Sequence, residues 1–165
     1  MLKSRLVAVA SISCAILAAV CALAARENIS TRAVSPSDPW TAAQTIDAAS
    51  FAKELAGAPA DRKPVVICVG FHSLYHGAHI PGAAYHGPGS TPEGLAGLKN
   101  FAASLPRSAN VVLYCGCCPL ERCPNIRPAF EALRDAGFAN LRVLLLPKDF
   151  ASDWVAKGYP TEKGG

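Results

Sequence analysis

The chain predicts an α/β fold, a mostly parallel sheet with helices on both faces. Short β-branched runs alternate with helical periodicities from Thr45 onward. The runs at 65–69 and 111–114 are continuously apolar, as strands covered on both sides are. The third observation is size: 165 residues, 51% hydrophobic and 17% charged, suffice for one compact core.

The elements follow in order. A short strand at 45–46 leads to Asp47, a good N-cap for a helix to about residue 56. The strand at 65–69 is followed by one or two helical turns at 72–78 and a short strand at 83–85. Leu95, Leu98, Phe101 and Leu105 recur at helical spacing and predict a helix over 93–104. After the strand at 111–114, Ile126, Phe130, Leu133 and Ala136 mark a helix closed by Gly137 as its C′ residue. A strand at 141–146 and a helix at 149–157 complete the pattern, with no internal repeats.

The N-terminus reads as a targeting segment. Lys3 and Arg5 precede an uncharged apolar stretch at 6–25, and Ala22-Leu23-Ala24 supplies a small-x-small cleavage pattern. The expected organisation is a signal peptide at 1–24, a linker at 25–40 containing Pro36 and Pro39, and a domain at 41–165. The protein is then exported, to the periplasm, without stable membrane association. The alternative is a membrane anchor through residues 6–25, whose 20 residues are long enough to span a bilayer. The formal charge of +4 falls to +2 without Lys3 and Arg5, and no basic cluster remains, which argues against nucleic-acid binding.

Export removes Cys14 and Cys21 and leaves Cys68, Cys115, Cys117, Cys118 and Cys123, an odd set with four thiols crowded into nine residues. Cys115 stands where a central strand hands over to a loop, and the following helix points its free N–H groups back at that loop. A thiol there is biased toward the nucleophilic thiolate. Cys115 is therefore the candidate nucleophile, and Cys117, Cys118 and Cys123 are candidate resolving thiols or soft-metal ligands. Arg122 and Arg127 are the nearby cations able to hold an anionic donor, and Gly116 offers a loop N–H to the substrate. Cys68, inside an apolar strand, reads as core. His72 and His76 have i,i+4 spacing but no accompanying carboxylate, so no metal site is expected, and no cofactor.

Several ordered segments carry a resemblance: His79-Ile80-Pro81-Gly82-Ala83, a strand ending in Cys115, Ala136-Gly137-Phe138, Leu141-Arg142-Val143-Leu144, and 154–160. Over roughly residues 45–163 the chain resembles a single rhodanese-like domain. The resemblance implies that His79-Ile80-Pro81-Gly82 is structural and that Cys115 carries sulfane sulfur as a persulfide, taken from a small sulfur donor and passed to a thiol acceptor. No partner protein is implied.

The chain departs from the family pattern in two places. Cys68-Val69-Gly70 stands where the family usually has Asp-Val-Arg. The loop after Cys115 is longer than the usual six residues, because Pro119, Pro124 and Pro128 delay the helix. The spacing from Cys115 to Arg122 is also one residue longer than in the related cell-cycle phosphatases, which argues against phosphatase chemistry. The expected function is an exported, thiol-dependent sulfurtransferase. The alternative is a non-catalytic thiol module that binds a soft metal or buffers redox state through the loop from Cys115 to Cys123, although Cys-x-Cys-Cys lacks the paired Cys-x-x-Cys spacing of zinc knuckles.

Overall fold

The computed structural model describes residues 38–165. The expected signal peptide or anchor, and the linker up to residue 37, lie outside the described residues. Five strands form one sheet: β1 (Thr45–Asp47), β2 (Val65–Cys68), β3 (Ala84–Tyr85), β4 (Val111–Tyr114) and β5 (Leu141–Leu145). Their order is β1-β5-β4-β2-β3, and every pairing is parallel. The two central strands end level, with Cys68 opposite Tyr114, so the chain leaves both at one edge of the sheet.

Helices α1 (Ala48–Gly57), α2 (His72–Gly77), α3 (Pro92–Ala103) and α4 (Ile126–Asp135) connect the strands, and α5 (Phe150–Asp153) follows β5. Alternation along each strand divides the core into two layers. Ile67, Val69, Val111, Leu113, Cys115 and Val143 face one side, packed by Leu98 of α3 and by Ile126, Phe130 and Leu133 of α4. Val66, Cys68, Val112, Tyr114 and Leu144 face the other, packed by Phe51 of α1 and by Phe150 and Trp154. Cys68 and Cys115 therefore lie in different layers of the core.

Local chemistry sets the helix starts. The Asp47 carboxylate accepts from Ser50 N–H at 2.9 Å, and Thr91 Oγ1 accepts from Gly94 N–H at 3.1 Å with Pro92 in the first turn. The helix expected over 149–157 is one turn of α-helix and then a 3-10 turn at Val155–Lys157. Trp154 lies between them with non-helical backbone angles, because its ring is buried against Phe51 and its indole N–H donates to Pro160 O at 2.8 Å.

The boundary read at residue 40 cuts through packed structure. Trp40 is buried against Phe130, and the Asp38 carboxylate is 4% exposed on Arg127. The His79-Ile80-Pro81-Gly82 segment is structural: buried His79 stacks on Tyr75, and its backbone pairs with Glu162 in both directions. This ties the C-terminal segment to the edge of the sheet.

Candidate active site

β4 ends in Cys115, and Gly116 turns the chain with φ +70°, a conformation in which a side chain is strained. A Cβ on Gly116 would sit 2.6 Å from Phe150 Cβ, while Phe150 N–H donates to Gly116 O at 3.0 Å. Gly116 thus seats the loop on α5, a role in the turn where the sequence suggested one in substrate binding. The loop continues through Cys117, Cys118 and Pro119 to a 3-10 turn at Leu120–Arg122, and α4 starts only after Asn125.

Three sulfurs converge. Those of Cys115, Cys117 and Cys123 all lie within 4.8 Å of one another, with Cys115 and Cys117 at 3.2 Å. Cys118 extends the cluster, its sulfur 3.2 Å from that of Cys117. All five described cysteines are free thiols. Among the described residues these three sulfurs are the group able to gather a soft metal ion, and no histidine joins them.

Asn125, which sequence reasoning did not single out, organises the cluster. It is fully buried, and its Nδ2 donates to Cys115 Sγ at 3.4 Å and Cys117 Sγ at 3.5 Å. Its Oδ1 accepts from Ser90 N–H at 3.0 Å. The available signal was an asparagine at the helix N-cap; here the side chain makes no cap and serves the sulfurs instead.

The ionisation pattern corrects the expectation for Cys115. Cys123 is lowered to about 6, chiefly by hydrogen bonding with Cys115, and further by the N–H groups of Asn125 and Ile126 at the mouth of α4. Cys115 is raised by that hydrogen bond, by burial and by the nearby Cys123 charge. The pair holds one negative charge, centred on Cys123. The loop explains this: α4 starts only after Asn125, and it is Cys123, not Cys115, that lies next to that start. Cys118 is raised to about 12 by burial and the neighbouring sulfurs, and Cys68 to about 11, mainly by burial.

The two arginines part ways. Arg127 donates to Asp38 Oδ1 from Nε at 2.9 Å and from Nη2 at 2.6 Å, and its Nη1 donates to the carbonyls of Leu120 and Cys123, each at 3.2 Å. Its donors are engaged within the protein, so it clamps the loop and is not free to hold a donor anion. Arg122 is exposed on the 3-10 turn and makes no ion pair among the described residues.

A groove of about 410 Å³ opens on the loop, lined by Leu74, Gly116, Cys117, Asp149, Phe150 and Val155 among others. Leu74 and Val155 are 49% and 41% exposed, so its rim is apolar. No lysine or arginine lines it. Cys115 lies behind Cys117, 6% exposed. Gly70 makes the approach to Cys115 possible, since a Cβ there would lie 2.9 Å from Cys115 O.

No family model and no curated protein matches the sequence. Solved structures do. The rhodanese-like domain of the Alr3790 protein from Anabaena sp is 27% identical, with a TM-score of 0.54 over 73% of this chain and 79% of that one. The BH2092 protein from Bacillus halodurans is 18% identical, with a TM-score of 0.56 over 72% of this chain and 76% of that one. A persulfide form of EanB with ergothioneine is 22% identical, with a TM-score of 0.53 over 72% of this chain and 28% of that one. The all-parallel sheet and its helices give this chain the fold of the rhodanese-like domains, with a cysteine-rich loop following the central strand.

Proposed function

We propose that the protein is an exported, thiol-dependent sulfurtransferase in which Cys115 carries sulfane sulfur as a persulfide. The observation that carries this reading is the pairing of Cys115, at the end of the central strand, with the Cys123 thiolate at the mouth of α4. Cys123 accepts the Cys115 proton as Cys115 sulfur attacks the outer sulfur of a donor R–S–SH; the donor S–S bond breaks, and R–S⁻ leaves. The Asn125 amide donates to the Cys115 sulfur, and the N–H groups of Asn125 and Ile126 hold the Cys123 thiolate. The groove has an apolar rim, carries Asp149 and lacks a cation, which favours an organic persulfide over a small dianion such as thiosulfate as donor. Incubation with cysteine persulfide, followed by mass spectrometry, tests this. One added sulfur on Cys115, absent in Cys115→Ser, is expected; no sulfur on Cys115 with any sulfane donor rejects the reading.

A second reading takes the same three sulfurs as a soft-metal site, favoured by their mutual spacing. Metal analysis of protein purified anaerobically tests it. Tight binding of one Cu(I) or zinc, with no persulfide from any donor, would replace the enzyme with a binding module.

A further inference from the structure

We infer that Cys123 resolves the Cys115 persulfide, so that the sulfane sulfur leaves as hydrogen sulfide and the protein works as a sulfane-sulfur reductase. The inference rests on the proposed persulfide chemistry and names its outcome. Loading leaves Cys115–S–SH beside Cys123–SH, and the persulfide gives its proton to the departing R–S⁻ to become Cys115–S–S⁻. The Cys123 sulfur attacks the inner Cys115 sulfur, the persulfide S–S bond breaks, and the outer sulfur departs as HS⁻ with the bonding pair and the Cys123 proton. The outer sulfur gains two electrons and the two cysteines lose them, forming a Cys115–Cys123 disulfide. An external dithiol reductant returns the disulfide to thiols and closes the cycle.

Geometry selects an internal acceptor over an external one. The Cys123 sulfur already lies within 4.8 Å of Cys115 Sγ, whereas an external thiol must first enter the groove. A thiol held at that distance competes at an effective concentration no free acceptor reaches.

Geometry also selects Cys123 over Cys117, although Cys117 Sγ is only 3.2 Å from Cys115 Sγ. A bridge from Cys115 to Cys117 would close across Gly116 alone, whose turn has φ +70° and is pinned by the Phe150 hydrogen bond. Disulfide geometry tolerates little such distortion. Cys123 comes from the opposite end of the loop, held by the Arg127 bond to its carbonyl and by the start of α4. A bridge from it to Cys115 spreads its closure over residues 116–122.

The test is a single turnover on the full-length protein, fully reduced, freed of reductant and mixed with one equivalent of cysteine persulfide. Sulfide is counted against a protein-free control, and disulfides are mapped by mass spectrometry. Wild type is expected to release close to one sulfide per chain and to form a Cys115–Cys123 bridge. Cys123→Ser, loaded to completion, should keep the added sulfur on Cys115 and release sulfide at least tenfold more slowly, while Cys117→Ser should still release sulfide and form the Cys115–Cys123 bridge. Release by Cys123→Ser at the wild-type rate overturns the inference, as does loss of release in Cys117→Ser alone. If Cys123→Ser fails to load, the wild-type bridge decides: sulfide release with a Cys115–Cys117 bridge, or with none, also overturns it. A wild-type Cys115 persulfide that persists without sulfide release defeats the inference and leaves the sulfurtransferase reading standing. Absence of any loading defeats that reading itself.

Discussion

At the residue scale the reactivity of the site belongs to a shared proton. Cys123, lowered to about 6, is a thiolate at neutral pH and takes up a proton as the pH falls through that value. The base that accepts the Cys115 proton is then lost. Persulfide loading should be level above about pH 7 and fall about tenfold per unit well below pH 6. In Cys123→Ser the fall should move to higher pH, because Cys115 must then ionise alone in a buried position; stopped-flow loading rates against pH check both. Asn125→Ala removes the donor to both sulfurs and the acceptor of the Ser90 N–H. It should cost about 1–3 kcal/mol of stability in urea unfolding and slow loading. An unchanged loading rate would make Asn125 purely structural.

At the element scale the loop is held at one end by backbone fit and at the other by a side-chain clamp. Gly70 and Gly116 let the end of β2 and the turn after β4 approach Cys115 and α5. Gly70→Ala drives a methyl against the Cys115 carbonyl and should cost about 1–3 kcal/mol, with a larger loss of loading rate than of stability because the displaced atom belongs to the nucleophile's own residue. Arg127 closes the other end through a fork that reaches Asp38 and two loop carbonyls at once. A lysine cannot reproduce that fork, so Arg127→Lys should destabilise the protein by about 2 kcal/mol, discounted for partial exposure, and leave Cys123 more mobile. Thermal melts and the loading rate together measure it.

At the scale of the whole molecule the cysteine loop is braced by chain that precedes the first strand. Trp40 fills the layer of the core beneath α4, packing on Phe130 while the Arg127 guanidinium lies 5.5 Å above its ring. Trp40→Ala should cost about 3 kcal/mol and lower persulfide loading as well, since α4 and the clamp both rest on that ring. Chemical denaturation with a parallel activity assay gives both numbers. Full loading on a destabilised Trp40→Ala protein would show that the brace serves stability alone.

The sequence by itself determined the α/β class, the order of the elements and the place of Cys115, because periodicity and the Gly and Pro punctuation are local signals. It also made the lengthened loop legible, since Pro119, Pro124 and Pro128 restrict where α4 can begin. Tertiary structure alone decided which thiol meets the helix, which arginine is free and which residue feeds hydrogen bonds to the sulfurs. Cys123 reaches Cys115 across an irregular loop, Arg127 is claimed by Asp38, and Asn125 is turned from capping to the cluster by Ser90. Each of these depends on atoms distant in sequence meeting in space, and the free energy of a thiolate or an ion pair depends on those neighbours far more than on the residue's place in the chain.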